Sequence, residues 1–288
     1  MKAIAKRSIY LYLINPINMF FSLLGSLIVF FLYLLFIKQN IVSQFQDITS
    51  STALINLWML GALLTVTSLT TSFSAIGQFI QDKSSNKLID FTMTDISAIN
   101  LLNGYFISSF IVSLIMQSIV FLFVIIFFLI IGEPLNLTIN QYLSLFPIML
   151  ITSLTSTSFN LMICAFIKNE ATLRTIASIM GALSGFLTGA YIPIGALSDS
   201  AKNIIRLFPL SYSSSMFRYT LMSPLLNSLP KKQSLFLEKF LGLNFDWKAS
   251  LNSIQLNITV LFLFSFICLS MIFLMRKYIL TTTLSERN

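Results

Sequence analysis

Apolar residues in this chain gather into six runs of about 20 residues or more, bounded by more polar stretches. About 20 apolar residues cross the roughly 30 Å of a bilayer's hydrocarbon core as a helix. The runs predict spans at about 17–37, 52–80, 101–131, 142–167, 172–192 and 252–275. The expected fold is an all-α membrane protein, one domain over residues 1–288. Residues 1–16 form a terminal segment, 81–100 a short loop on the same side, and 193–251 a longer region on the opposite side.

Polar positions inside the runs add detail. In the second run Thr67, Thr71, Ser74 and Gln78 share a helical face. Such hydroxyls either bond their own backbone one turn back or line another helix or a wet cavity. Thr152, Ser153, Ser156 and Asn160 in the fourth run read as glue between helices. The fifth run carries Ala177, Gly181, Gly185 and Gly189 at four-residue spacing, a smooth stripe for close approach, within one subunit or along a pathway. That run stops at Pro193, and residues 193–218 are too apolar for a solvated loop and too short for a span. They read as backbone re-entering the membrane, which is allowed where protein or a water-filled cavity covers its polar groups.

The segments between runs are basic or amphipathic. Lys2, Lys6 and Arg7 lie in a helix-prone N-terminus, although Lys2 and Lys6 share a face with Ile9 and Leu13; it is either a surface helix or a basic flank. Residues 81–100 interleave charges with Leu88, Phe91 and Ile96, the pattern of a short docking helix or of a solvated connector. Residues 231–243 form a second amphipathic stretch. Short-loop Lys and Arg place both termini in the cytoplasm and put Trp58 and Trp247 near the outer interface.

Composition narrows the chemistry. The chain is 56% hydrophobic and 10% charged, which excludes an ordinary soluble domain. Its net charge of +8 sits at membrane boundaries and in one long loop, a distribution that anionic lipid explains without nucleic acid. There is no His, and Cys164 and Cys268 lie in separate apolar runs, so His-based catalysis, Cys/His metal sites and a disulfide framework are unsupported. No GxxxxGK[ST] loop is present, and the predicted spans carry no charged residue away from their ends. A transporter without relay groups needs energy from elsewhere, and a separate ATPase held by 81–100 is the natural source.

At this point the chain resembles the ABC-2 type permeases, the membrane subunits of ATP-driven exporters of drugs, polysaccharides and teichoic acids. SGFLTGAYIPI at Ser184 to Ile194 is similar to the family's Ser-Gly-x-x-x-Pro ending of the fifth span. PLSYSSSMFR at Pro209 to Arg218 is similar to its Pro-Leu-Thr-Tyr segment ending in Arg, and FTMTDISAINLLNGYFIS occupies the place of its ATPase-contacting loop. Two positions depart: Ser215 stands where the family often has Glu, and Ser198 where it often has Pro.

The resemblance implies a permease in a bacterial cell membrane, paired with a second copy or a similar permease and with two ABC ATPase subunits. ATP and Mg would be bound by those subunits, and this chain would bind no cofactor and do no catalysis. It implies a coupling helix at 81–100 with Asp82, Asp90, Phe91 and Asp95 in contact. It implies a translocation path lined by Thr67, Thr71, Ser74 and Gln78 on one wall and Gly181, Gly185 and Gly189 on the other. An outer gate would hold Pro193, Pro209, Tyr212 and Arg218. The expected cargo is an amphiphilic small molecule, lipid-like toxin or peptide. The alternatives are a lipid-linked polysaccharide or teichoic acid, or a non-transporting scaffold or immunity component.

Overall fold

The computed structural model describes residues 1–45, 48, 50–85, 87–92, 96–244 and 253–285. Among the described residues there is no strand. Helix α1 (Lys2–Leu13) leads into α2 (Pro16–Leu32), which starts on Pro16 with Asn15 accepting from the Asn18 amide. That helix continues through a π-helical turn, Tyr33–Ile37, into α3 (Lys38–Val42). Next come α4 (Ser51–Ser84), the short α5 (Lys87–Thr92), α6 (Ala98–Ile130) and α7 (Ile139–Ala165). Thr138 and Gln141 close a reciprocal capping box at the start of α7, satisfying two amides that the helix itself leaves unpaired.

Helix α4 is the centre of the bundle, with α2, α6, α7, α8 (Glu170–Leu187) and α10 (Pro209–Asn227) packed around it. Its most apolar stretch is 89% buried, against 33% for the helix that begins at Pro16, 39% for α6 and 28% for α12 (Ser253–Ser285). The reason is solvent. In lipid an all-apolar helix gains nothing from hiding, so the Phe-, Ile- and Leu-rich helices face outward while the helix rich in Ser and Thr goes inside.

Among the described residues, five helices are long and apolar enough to cross a membrane: Pro16–Phe45, Ser51–Ser84, Ile99–Ile130, Ile139–Ala165 and Ile254–Leu274. The expected fifth run forms α8 (Glu170–Leu187), which is not among them. Glu170, Thr172, Arg174, Thr175 and Ser178 make its first half polar. It also ends early: Gly189 takes a left-handed φ of 65°, and the Ala190 amide bonds back to the Gly185 carbonyl at 2.7 Å. The glycine stripe therefore stops at Gly185, and Gly189 is the turn that closes the helix.

The region after Pro193 is more helical than the sequence pattern implies. A short 3₁₀ turn, Ile194–Ala196, precedes the amphipathic α9 (Asp199–Leu207), capped by Ser198, then α10 (Pro209–Asn227) and α11 (Lys231–Phe240). Every residue from Pro209 to Arg218 is buried, and α10 packs against α4, α7 and α12.

Candidate functional site

At the α1 end of the bundle, Asp82 is the focus of a buried polar cluster. Arg7 donates to its carboxylate from Nη1 at 2.6 Å and from Nη2 at 3.0 Å; Tyr105 adds its hydroxyl at 2.6 Å and Gln78 its amide at 3.0 Å. The Asp82 hydrogen bond raises the Arg7 pKa against the opposing effect of burial, so the guanidinium stays charged. Arg7 also lies over the Phe91 ring at 5.5 Å. One carboxylate thus ties α1, α4 and α6 together, with α5 leaning on the same Arg. Close packing supports it: a Cβ on Gly104 would come within 2.8 Å of Ile4, and one on Gly77 within 3.0 Å of Leu173. Ser84 bonds Glu170 of α8 at 3.0 Å.

The expected coupling residues separate here. Asp82 has no exposed surface and is paired with Arg7, so it is not a contact on the protein's exterior. Asp90 and Phe91 lie on α5, and Asp95 falls outside the described residues.

The expected path residues separate as well. Thr67 and Thr71 are buried inside the subunit and bond the carbonyls of Leu63 and Thr67 at 2.8 and 2.6 Å, so they do not form an open wall. Ser74 donates to Asn18 of α2 at 3.1 Å, and Ser74 and Gln78 are half-buried, as is Thr70 one turn earlier. These three make a narrow strip along α4. Above it α2 and α8 cross closely: a Cβ on Gly25 would sit 3.4 Å from the Gly181 Cα and 3.1 Å from Thr70. Gly181 lies at that crossing, whereas Gly185 is covered by Tyr191 of its own subunit, whose ring a Cβ would meet at 2.3 Å. Behind the strip, Ser68, Ser113, Ser153, Ser156 and Gln117 form a buried hydrogen-bonded seam joining α4, α6 and α7.

The opposite end is closed by α9, α10 and α11. Pro193 caps the 3₁₀ turn, Pro209 begins α10, and the Tyr212 hydroxyl donates to the Arg206 carbonyl at 2.9 Å. Arg218 is wholly buried. Its Nε donates to the Trp58 carbonyl at 3.3 Å, Nη2 to the carbonyls of Thr188 and Gly189 at 3.1 and 2.8 Å, and its guanidinium lies 5.0 Å from the Trp58 ring. Its guanidinium stays charged, as arginine does in proteins. No carboxylate pairs with it among the described residues. Ser215, one turn before it, donates to the Leu243 carbonyl and accepts from Asn257. The carbonyls at the C-terminal end of α8 supply the negative partial charge instead.

Trp58 corrects the aromatic-belt expectation. It is fully buried, donating from Nε1 to the Leu241 carbonyl at 2.9 Å, because Arg218 and α11 cover it; Trp247 lies outside the described residues. Beside this cap Lys38 pairs with Glu133, which also accepts from Asn56 at 2.9 Å, while Asn56 accepts from Tyr33 at 2.5 Å.

Sequence reasoning missed the Arg7–Asp82 and Arg218–Trp58 contacts. The first spans 75 residues and the second 160, so no local spacing marks either one. The only signal is the presence of a lone acid at the end of a span and of an Arg in an apolar stretch. Among the described residues no group of His, Cys, Asp or Glu gathers that could hold a metal ion. Compared with known families, the chain matches the ABC-2 type transporter family over residues 1–222. No curated protein sequence matches it.

Proposed function

The chain belongs to the ABC-2 type transporter family and is therefore the membrane-embedded permease component of an ABC transporter; on that premise we propose that it exports an amphiphilic small molecule, lipid-like toxin or peptide from a bacterial cell. Two copies, or this chain and a similar one, work with two ATPase subunits that bind ATP and Mg. Both termini are cytoplasmic, and α8, about 27 Å long at 1.5 Å per residue, is the fifth of six crossings. Helices α9 and α10 re-enter from the outer side and close it.

The observation that carries this reading is the Arg7–Asp82–Tyr105 cluster. Residues 81–100 are the ATPase contact, with Asp90, Phe91 and Asp95 as touching residues and Asp82 as a positioning residue behind them. A push on α5 reaches Asp82 through Arg7 and Phe91, and Asp82 belongs to α4, the central helix against which α2, α6, α7, α8 and α10 pack. Rigid packing turns such a push into a shift between two arrangements of the bundle. The cargo faces the α2–α8 side, where the Thr70, Ser74 and Gln78 strip offers a few hydrogen-bonding groups. Exposed Phe20, Phe21 and Phe31 on α2 offer an apolar wall beside it.

The test is co-purification followed by transport. Asp90→Lys should release the ATPase while the permease stays inserted, and inside-out vesicles holding the intact complex should accumulate amphiphiles only with ATP. An ATPase that stays bound after residues 81–100 are scrambled would remove the coupling assignment, and ATP-driven movement in the opposite sense would remove export.

A further inference from the structure

A groove of about 440 Å³ runs between α1 and α6, and we propose that it binds one anionic phospholipid, with the phosphate at Lys2 and Lys6 and an acyl chain along Leu13, Ile107 and Ile111. The proposal needs only that the chain sits in a membrane, and it is independent of cargo and of export direction.

One face of α1, with Ile4, Ala5, Ser8 and Tyr12, is buried against the bundle. Three contacts fix it there: Ile4 on Gly104, Arg7 on Asp82, and the hydroxyls of Tyr12 and Ser22 at 2.6 Å. The remaining face holds Lys2, Lys6, Tyr10 and Leu13, and it forms the groove with Ile107 and Ile111 of α6. This resolves the awkward pattern of the N-terminus. Lys2 and Lys6 share a side with apolar residues because that side has a charged end and an apolar end, as a lipid has.

Arg7, the third cation of α1, is taken by Asp82, whereas Lys2 and Lys6 are exposed and form no ion pair among the described residues. Two free ammonium groups, one helical turn apart at the rim of an apolar groove, complement a phosphodiester. A zwitterionic headgroup would bring its own cation and cancel much of that attraction. The groove's size lies in the range of small-ligand sites.

The experiment uses the purified permease with its ATPase in vesicles of phosphatidylcholine, with trace phosphatidylglycerol or phosphatidylcholine carrying a photoreactive acyl chain. Cross-links should map to Leu13, Ile107 or Ile111 with the anionic probe. The double change Lys2→Gln/Lys6→Gln should lower its preference over the zwitterionic probe by roughly thirtyfold, about 1 kcal/mol for each Lys near an anionic headgroup. Ile107→Trp, which fills the groove and keeps both Lys, should lose the cross-link too. Lys231→Gln/Lys232→Gln at the other end should leave it in place. Equal labelling by both probes, or labelling unchanged in the double variant, would make this ordinary surrounding lipid and overturn the proposal. Labelling seen only when the ATPase is absent would assign the groove to the partner protein and overturn it as well.

Discussion

Asp82 at one end of the bundle and Arg218 at the other are both fully buried charges, yet the partners they meet are of opposite kinds. Asp82 has a true counter-ion, and that partner, Arg7, keeps 31% of its side chain exposed. Arg218 has only carbonyls and a Trp ring, all held by the backbone of α4 and the end of α8. A pair with one foot in water can be loosened and remade. A cation caged by main-chain oxygens moves only when the helices that carry them move. The first arrangement suits a joint that receives force, and the second suits a clasp that fixes the far end of the same helix.

The largest effect should come from breaking the clasp. Arg218→Met leaves the carbonyls of Trp58 and Gly189 without their donor and should lower stability by about 3 kcal/mol or more, read as thermal unfolding in detergent. Arg218→Lys should recover little, because a single ammonium cannot reproduce a planar fork that reaches three carbonyls. A lysine variant as stable as the parent would show that the cage needs charge alone.

Next is the joint. A double-mutant cycle with Arg7→Ala and Asp82→Ala should give a coupling of about 1 to 3 kcal/mol. The Arg7 change should be the more damaging single substitution, since it strands a carboxylate that has no exposed surface, whereas an unpaired Arg7 can turn to water. The reverse order would erase the contrast drawn between the two ends.

A smaller effect tests the link between α8 and the cap. Gly185→Ala drives a methyl into the Tyr191 ring and should cost about 1 kcal/mol. Tyr191→Ala in the same chain should restore it. Failure of that rescue would mean that the pressure falls on the backbone.

The smallest concerns pH. Burial pushes the Glu133 pKa up, but hydrogen bonds from Lys38 and Asn56, with the Lys38 charge, outweigh burial and hold it below its ordinary value of 4.5. A lowered folded pKa means that the pair's contribution is complete above that value and fades as pH falls through the lowered one. The stability gap between parent and Glu133→Gln should therefore be widest near neutrality and close in acid. A gap independent of pH would show that the carboxylate's charge is not what matters there.

Much of the scaffold could be read from the chain alone. Run length in Phe, Ile and Leu predicts the helices that begin at Pro16, Ser51, Ala98, Ile139 and Ser253, because one number, the thickness of hydrocarbon, governs them all. The hydroxyls of Ser153 and Ser156 pair between helices as the pattern implies. Other readings failed where the deciding contact was remote. Thr67 and Thr71 looked like a wall, but only packing reveals that α2, α8 and α10 leave Thr70, Ser74 and Gln78 as the strip of α4 still half-exposed. The glycine stripe looked continuous, but a left-handed Gly189 ends its helix.

Hydrophobic run length and the basic flanks, both local properties, determined that this protein is a helical membrane bundle. Which charge meets which partner is a property of positions 75 and 160 residues apart, and only the tertiary structure decided it. The physical reason is that lipid sorts helices by composition, whereas a buried charge accepts any oxygen or cation of suitable geometry, and neither its distance along the chain nor its identity is written beside it.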